Sequence, residues 1–168
     1  MTISMYQASV PVFERALTNL AKVLKKGEVH AKVKGADPDG LLQQRLIFDM
    51  FPLIKQVQIA CDVAARAAAR LAGVEPRSFE DKETTLEQAL DRIERTIAYI
   101  REFKPEQIDG SENRNIQLKM RSGEMNFTGI DYLLGFTLPT LYFHCTTAYG
   151  ILRVAGTEIG KKDYLGER

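Results

Sequence analysis

The residue best suited to catalysis or ligand binding is His144, in the segment from Phe127 to Arg153. On a helix that turns about 100° per residue, His144 points within about 20° of both Leu133 and Ile151, on the apolar face that we expect to be buried. Three hydroxyl groups share that side of the helix: those of Thr137, Thr140 and Thr147. An imidazole in such surroundings can serve as a general base or a metal ligand. The sequence therefore predicts a polar pocket among the helices, with His144 as its catalytic group.

Buried polar groups need hydrogen-bond partners, since each unpaired group costs about 1–3 kcal/mol. The second helical segment offers Gln58 and Asp62, which are four residues apart at the edge of its apolar face. An aspartate beside an imidazole holds its tautomer and raises its pKa. Tyr6 lies on the inward stripe of the first helical segment and can reach the same cavity, although it also suits a core position. We predict that the ligand-binding residues are Gln58, Asp62, Thr140 and Tyr6.

A second interpretation of His144 stays open. A buried histidine often only hydrogen-bonds to one neighbour, and threonine hydroxyls bond to carbonyls of their own helix. In that case the polar stripe only specifies packing or dimerisation. The protein would then be a non-catalytic structural or interaction protein, and the sequence alone does not decide whether it is an enzyme.

Familiar catalytic motifs are absent from the sequence: a phosphate loop, a dinucleotide fingerprint, a CxxC pair, an HExxH zinc helix and a GxSxG elbow. The chain has only two histidines, so one chain cannot supply a three-histidine metal site. Cys61 shares an apolar helix face with Val57 and is predicted to be an inert core thiol. The lysine-rich surroundings of His30 indicate a solvated helix end.

Composition predicts one domain over residues 1–168, with a mass of 18.9 kDa. Its 23 Lys and Arg against 22 Asp and Glu give a net charge of +1, which argues against nucleic acid or a membrane surface as a partner. We find no apolar run of about 18 residues and no signal-peptide pattern. With only two cysteines, the sequence predicts a cytoplasmic protein.

Apolar spacing predicts four long helices. The first runs from near Ser4 to about Lys34, with Gly35 as its stop and Pro11 either as a kink or close to the true start. The second runs from near Pro52 to Gly73. The third begins at a capping box in Thr84-Thr85-Leu86-Glu87 and is closed by Pro105, and the fourth runs from Thr128, capped with Asp131, to about Ala155, with a kink at Pro139. A brief helix from Asp37-Pro38 to Arg45 separates the first two.

Residues 111–128 do not show the helical spacing of apolar residues. Ile116, Leu118 and Met120 alternate with polar residues, Ser122-Gly123 supplies a turn, and Met125 and Phe127 alternate again. This pattern predicts a small β-hairpin whose apolar face lies on the helices. The predicted fold is therefore all-α, a four-helix bundle with a small hairpin before the last long helix.

Four segments resemble a known family: MYQASVPVF at 5–13, MFPLIKQVQIACD at 50–62, residues 127–153, and EIGKKDYLG at 158–166. They are similar to a bacterial family catalogued as domain of unknown function one-nine-nine-three, within the DinB-like (YfiT-like) metalloenzyme superfamily. The resemblance covers nearly the whole chain. It implies a four-helix bundle and a homodimer.

The better-known members of that superfamily bind a divalent metal through three histidines, one on the second helix and two spaced i, i+4 on the fourth, and some are thiol-dependent transferases. By position, the pair falls on Thr140 and His144, and the other ligand on or near Gln58, so only His144 matches. One imidazole with amide and hydroxyl oxygens holds zinc or nickel poorly. The resemblance thus implies a small-molecule-binding or transferase-like pocket that has lost its metal, or else a weakly bound divalent metal at His144.

Overall fold

A computed structural model describes residues 2–120 and 123–166 of the protein. Its long helices are α1 (Val10–Val33), α2 (Leu53–Ala72), α3 (Leu86–Ile100) and α6 (Leu138–Val154). Helix α2 packs against α3 and α6, and α1 packs against the same two helices. The prediction of a mostly helical protein is confirmed.

The shorter elements connect these helices in chain order. A 3₁₀ helix spans Pro38–Gln43, α4 spans Pro105–Ile108, and the strands are β1 (Ile116–Met120) and β2 (Gly123–Phe127). A short α5 (Gly129–Asp131) and a π-helical turn (Tyr132–Thr137) lead directly into α6, and α7 (Lys161–Leu165) follows it. Within the two described ranges, no helix is long and apolar enough to cross a membrane.

The helix ends follow local signals in the sequence, with two adjustments. Helix α1 begins at Val10 rather than near Ser4, with Pro11 in its first turn, where the missing N–H costs nothing. Gly73 ends α2 in the left-handed conformation, at φ 74°. The capping box of α3 is formed by Thr85 and Gln88, one residue later than predicted, and both reciprocal hydrogen bonds are present.

The predicted hairpin is confirmed, and its strands pair antiparallel with Ile116 opposite Phe127. Ile116 and Leu118 are buried, whereas Met125, opposite Leu118, is 41% exposed. Ser122, in the predicted turn, lies outside the described residues. Phe127 contacts the rings of the π-helical turn, so the hairpin packs beside the start of the last long helix.

The disturbance expected at Pro139 takes the form of the π-helical turn that precedes it. Proline has no N–H for the carbonyl four residues earlier, and its ring crowds that carbonyl. A wider turn relieves this crowding, and such turns commonly mark irregular helices. The last long helix therefore continues past Pro139, to Val154.

Gly129, the first residue of α5, lies against the loop after α4. A Cβ atom at this position would lie 1.9 Å from the backbone carbonyl oxygen of Ser111, and the neighbouring Ile130 N–H donates to the carbonyl of Glu112 at 3.0 Å. The loop is fixed by this backbone contact, so it cannot move away easily. The start of the last long helix therefore depends on the absence of a side chain here.

We expect Gly129→Ala to lower the free energy of unfolding by about 3 kcal/mol, because the new methyl group overlaps backbone. Gly135→Ala is the matched control, since a Cβ there meets nothing within 4 Å and alanine favours helices. Urea unfolding of both variants measures the difference. If the two variants are equally stable, the loop after α4 can move to accommodate the methyl group.

Candidate functional site

His144 lies on α6 and faces α2. Its Nδ1 atom is 2.7 Å from Oε1 of Gln56 on α2, and the imidazole is half-buried. Gln56 itself is only 1% exposed. A hydrogen bond therefore joins the two helices where the sequence predicted a polar contact, but the partner of His144 is Gln56 and not Gln58 or Asp62.

The surroundings of Gln56 decide which nitrogen of His144 carries the proton. The Gln56 Nε2 group donates to the backbone carbonyl of Phe51 at 2.9 Å, so its Oε1 must be the atom that faces the imidazole. An amide oxygen only accepts, so Nδ1 of His144 must be protonated. In the neutral ring Nε2 is then an unprotonated acceptor.

Nε2 of His144 has no hydrogen-bond partner among the described residues, and it is not one of their buried unpartnered atoms. It is therefore open to solvent or to a ligand. Burial lowers the pKa of His144 below its ordinary value of 6.5, which favours the neutral ring at pH 7. Because the unfolded chain then binds the proton more readily, stability falls as pH drops below about 6.5 towards the lower folded-state pKa.

Two phenylalanines lie beside this pair. The ring of Phe143 meets the imidazole edge-on, with centroids 5.2 Å apart, and the side chains of Phe143 and Phe51 are each 55% exposed. His144 does not line any of four cavities found among residues 2–120 and 123–166. The imidazole thus lies at an apolar edge between α2 and α6, beside exposed aromatic side chains.

The other residues predicted for this site have different partners. Thr140 and Thr147 donate to the carbonyls of Phe136 and Phe143 on their own helix, at 2.6 and 2.8 Å. Such bonds are the ordinary behaviour of threonine inside a helix. Tyr6 packs against the core, and its backbone N–H donates to Asp109. None of these contacts involves His144.

Gln58 and Asp62 belong to a second polar cluster, around Arg92 on α3. The Arg92 guanidinium has an exposed fraction of 0% and lies 2.6 Å from Asp62 Oδ1 and 3.1 Å from Glu83 Oε1. Gln58 donates to the other oxygen of Glu83 at 2.8 Å. The cluster holds α2, α3 and the segment before α3 together.

The same guanidinium has further contacts in the segment between α2 and α3. It donates to the carbonyl of Glu80 at 3.0 Å, and its central carbon lies 5.0 Å from the ring centre of Phe79. The other carboxylate oxygen of Asp62 forms an ion pair with the more exposed Arg66, at 2.8 Å. A buried, multiply paired arginine of this kind orders the segment before α3, although its Nε atom is buried without a hydrogen-bond partner among the described residues.

Gln56 and Arg92 were not among the predicted site residues, although the sequence contains a signal for each. Gln56 continues the inward stripe of α2 formed by Leu53, Ala60 and Ala64, so a polar side chain there must be buried. Arg92 stands four residues before buried Thr96 on α3. A charged residue on an inward stripe requires an acidic partner, and this rule would have found the cluster.

The donor atoms at His144 do not fit a transition metal. Oε1 of Gln56 is engaged with Nδ1, and the Thr140 hydroxyl donates to its own helix, so the imidazole has no second ligand beside it. No group of three or more His, Cys, Asp or Glu side chains suited to a metal occurs in residues 2–120 and 123–166. The thiols of Cys61 and Cys145 are buried, and burial raises the pKa of each to about 12.

The chain is similar to a known protein family and to solved structures. The family model described as "Domain of unknown function (DUF1993)" matches residues 5–165. A crystal structure of a DinB family member protein from Shewanella denitrificans has 40% sequence identity to this chain and a TM-score of 0.89. That alignment covers 97% of this chain and 92% of the other. No curated protein matches the chain.

Replacing Arg92 with alanine should cost about 3–5 kcal/mol of stability, because Asp62 and Glu83 are left charged without their buried partner. Arg95→Ala is the control: the Arg95 side chain is 52% exposed and reaches the same Glu83 oxygen only at 3.8 Å, so its loss should cost less than about 1 kcal/mol. Urea unfolding measures both. A loss below about 1 kcal/mol in the Arg92 variant would show that water replaces the guanidinium.

His144→Leu should cost about 1–3 kcal/mol, because buried Gln56 loses the donor for its Oε1. His144→Asn is the matched variant, since an asparagine amide N–H can take the place of Nδ1–H, and it should retain most of that stability. Thermal and urea melts provide the comparison. A leucine variant as stable as wild type would mean that the bond to Gln56 contributes nothing and that His144 serves only a site.

Proposed function

This chain belongs to the family described as domain of unknown function (DUF1993), and we propose that it binds a small molecule at the edge between α2 and α6. His144 is the group that accepts a hydrogen bond, or a proton, from that molecule. One observation carries the proposal: Nδ1 of His144 is held by Gln56, while Nε2 has no partner among the described residues. An imidazole fixed in this tautomer presents a basic nitrogen in a defined direction.

The chemistry of this nitrogen suits a ligand with an acidic donor, such as a thiol. A neutral imidazole can remove the proton of a bound S–H group and leave the thiolate, which is the nucleophilic form. The thiolate can then attack an electrophilic carbon of a second substrate and form a C–S bond, while the proton on Nε2 passes to the group that leaves that carbon. This sequence of steps is transferase-like chemistry and uses no metal, in keeping with the donor atoms at the site.

The apolar part of the ligand would lie against the exposed rings of Phe51 and Phe143. Aromatic side chains beside a single directed polar group are typical of small-molecule sites, in which apolar contacts supply affinity and the polar group supplies orientation. Gln58, Asp62 and Thr140 are committed to other partners and take no part in the proposal, and Tyr6 contributes to the core.

Two further proposals concern the arrangement of the helices and the number of domains. We propose that the four long helices form a DinB-like four-helix bundle and that residues 1–168 are one cytoplasmic domain. Support comes from the packing of α2 and α1 against both α3 and α6, around a shared apolar core. The near-neutral charge supports a protein without a nucleic-acid or membrane partner.

One observation favours the alternative, a non-catalytic interaction protein that forms a homodimer. The segment before α2 exposes several large apolar side chains, with Phe48 85% and Ile47 52% exposed. Leu46 of this segment lies beside α6, about 3.5 Å from where a Cβ of Gly150 would stand. Exposed apolar side chains grouped in this way often mark an interface.

Nuclear magnetic resonance of the histidine side chains, with benzyl mercaptan as the probe, separates the two functions. Benzyl methyl sulfide has the same apolar body but no S–H donor. If Nε2 accepts from the ligand, benzyl mercaptan shifts the Nε2 resonance of His144 and the sulfide does not. The His144→Asn variant, which keeps the bond to Gln56 but removes the basic nitrogen, should bind benzyl mercaptan no better than the sulfide.

Equal effects of the two probes would show that only the apolar edge binds, and would contradict a role for Nε2. Sedimentation at several protein concentrations would then test the interaction protein. A dimer that is lost in Phe48→Ser would support it. Elemental analysis of the same sample should find much less than one zinc or nickel per chain. A stoichiometric metal lost in His144→Asn would overturn the metal-free mechanism.

A further inference from the structure

We propose that the protein has a second binding site, a cavity between α1, α6 and α7 that takes a small molecule with an apolar body and an anionic head. The cavity has a volume of about 460 Å³. Ligand sites in proteins typically occupy about 300–1,000 Å³, so this space suits a small metabolite-sized molecule. It lies on the other side of α6 from His144, which does not line it.

The body of the cavity is apolar. Helix α1 contributes Val12, Ala16 and Leu20 at successive turns, and α6 contributes Tyr142 and Cys145. Cys145 is 3% exposed, so this wall belongs to the protein core. A short acyl chain or an aryl ring would replace water along these side chains and gain from the burial of its surface.

The C-terminal helix α7 forms one wall of the cavity, and several polar contacts hold this helix in place. The carbonyl of Leu165 accepts hydrogen bonds from Asn19 Nδ2 at 2.9 Å and from an Arg15 guanidinium nitrogen at 3.1 Å. The Tyr164 hydroxyl accepts from Thr146 at 3.0 Å. Asp163 forms an ion pair with Lys26 on α1. This wall is thus fixed along its length.

The backbone just after α7 is fitted to α1 equally closely. Gly166 has φ 71°, and a Cβ there would lie 2.3 Å from Oδ1 of Asn19. Asn19 is only 8% exposed, so its amide is committed to this contact. One wall of the cavity is therefore a docked segment with its own specific contacts, rather than a loosely packed tail.

Charge determines the head group of the ligand. Arg15 is the one ionic side chain among the described residues that line the cavity, and none of the lining residues is acidic. A guanidinium has five N–H donors, and the carbonyl of Leu165 takes one of them. The others suit a carboxylate, which an arginine binds more strongly than it binds a neutral acceptor. The structure thus favours a monocarboxylate with a short apolar body.

Calorimetric titration with octanoate and with octanol tests this site. Octanoate should bind wild type, and Arg15→Gln should weaken that binding about tenfold, which corresponds to about 1.4 kcal/mol, while leaving octanol unchanged. Glutamine can still donate to the carbonyl of Leu165, so α7 should stay docked. Lys25→Gln removes the same charge from α1 outside this cavity and should have no effect.

A second pair of variants tests the volume. Ala16→Leu fills the cavity and should weaken both probes, whereas Ala98→Leu, on the exposed face of α3, should weaken neither. The proposal is wrong if octanoate fails to bind wild type, if Arg15→Gln and Lys25→Gln behave alike, or if Ala16→Leu has no effect. His144→Asn should leave octanoate binding unchanged, so the test of this site is independent of the test of the site at His144.

Discussion

The burial of α2 is the constraint on which the rest of the structure depends. Six of its alanines, at positions 60, 64, 65, 67, 68 and 69, are fully buried, and neighbouring helices pack against it on several sides. A polar side chain on such a helix cannot rely on water, and it must find a partner from another element. The partners come from three parts of the chain: His144 on α6, Arg92 on α3, and Glu83 in the segment before α3. Satisfying the polar groups of one helix therefore also fixes the position of the others.

The two interpretations of His144 are consequently compatible. The bond from Nδ1 to Gln56 is a packing contact, and it also determines the tautomer that leaves Nε2 basic. Histidines that act as bases or ligands are commonly oriented in this way, by a hydrogen bond at the other ring nitrogen. A structural contribution to stability is thus no argument against a functional one, because the first sets the geometry of the second.

Local signals in the sequence were enough for the long helices, most of their ends and the hairpin, since each depends on neighbours within a few residues. Pro11, Gly73 and the Thr85 capping box act locally. The partner of His144 was predicted on the correct helix but at the wrong residue, because Gln56 and Gln58 differ by about 200° around α2 and only the crossing of α2 with α6 selects between them. The π-helical turn changes the phase of the last long helix, which no fixed period can anticipate.

The last long helix separates two chemically different environments. His144 faces α2 and an apolar edge, and Cys145, about 100° further round, faces a half-open cavity bounded by α1 and α7. The first environment offers a basic nitrogen without a positive charge at neutral pH, and the second offers a fixed positive charge at Arg15. A group that gives up a proton suits the first, and a group that has already lost one suits the second. Adjacent residues of one helix thus select ligands in opposite protonation states, because the two faces pack against different neighbours.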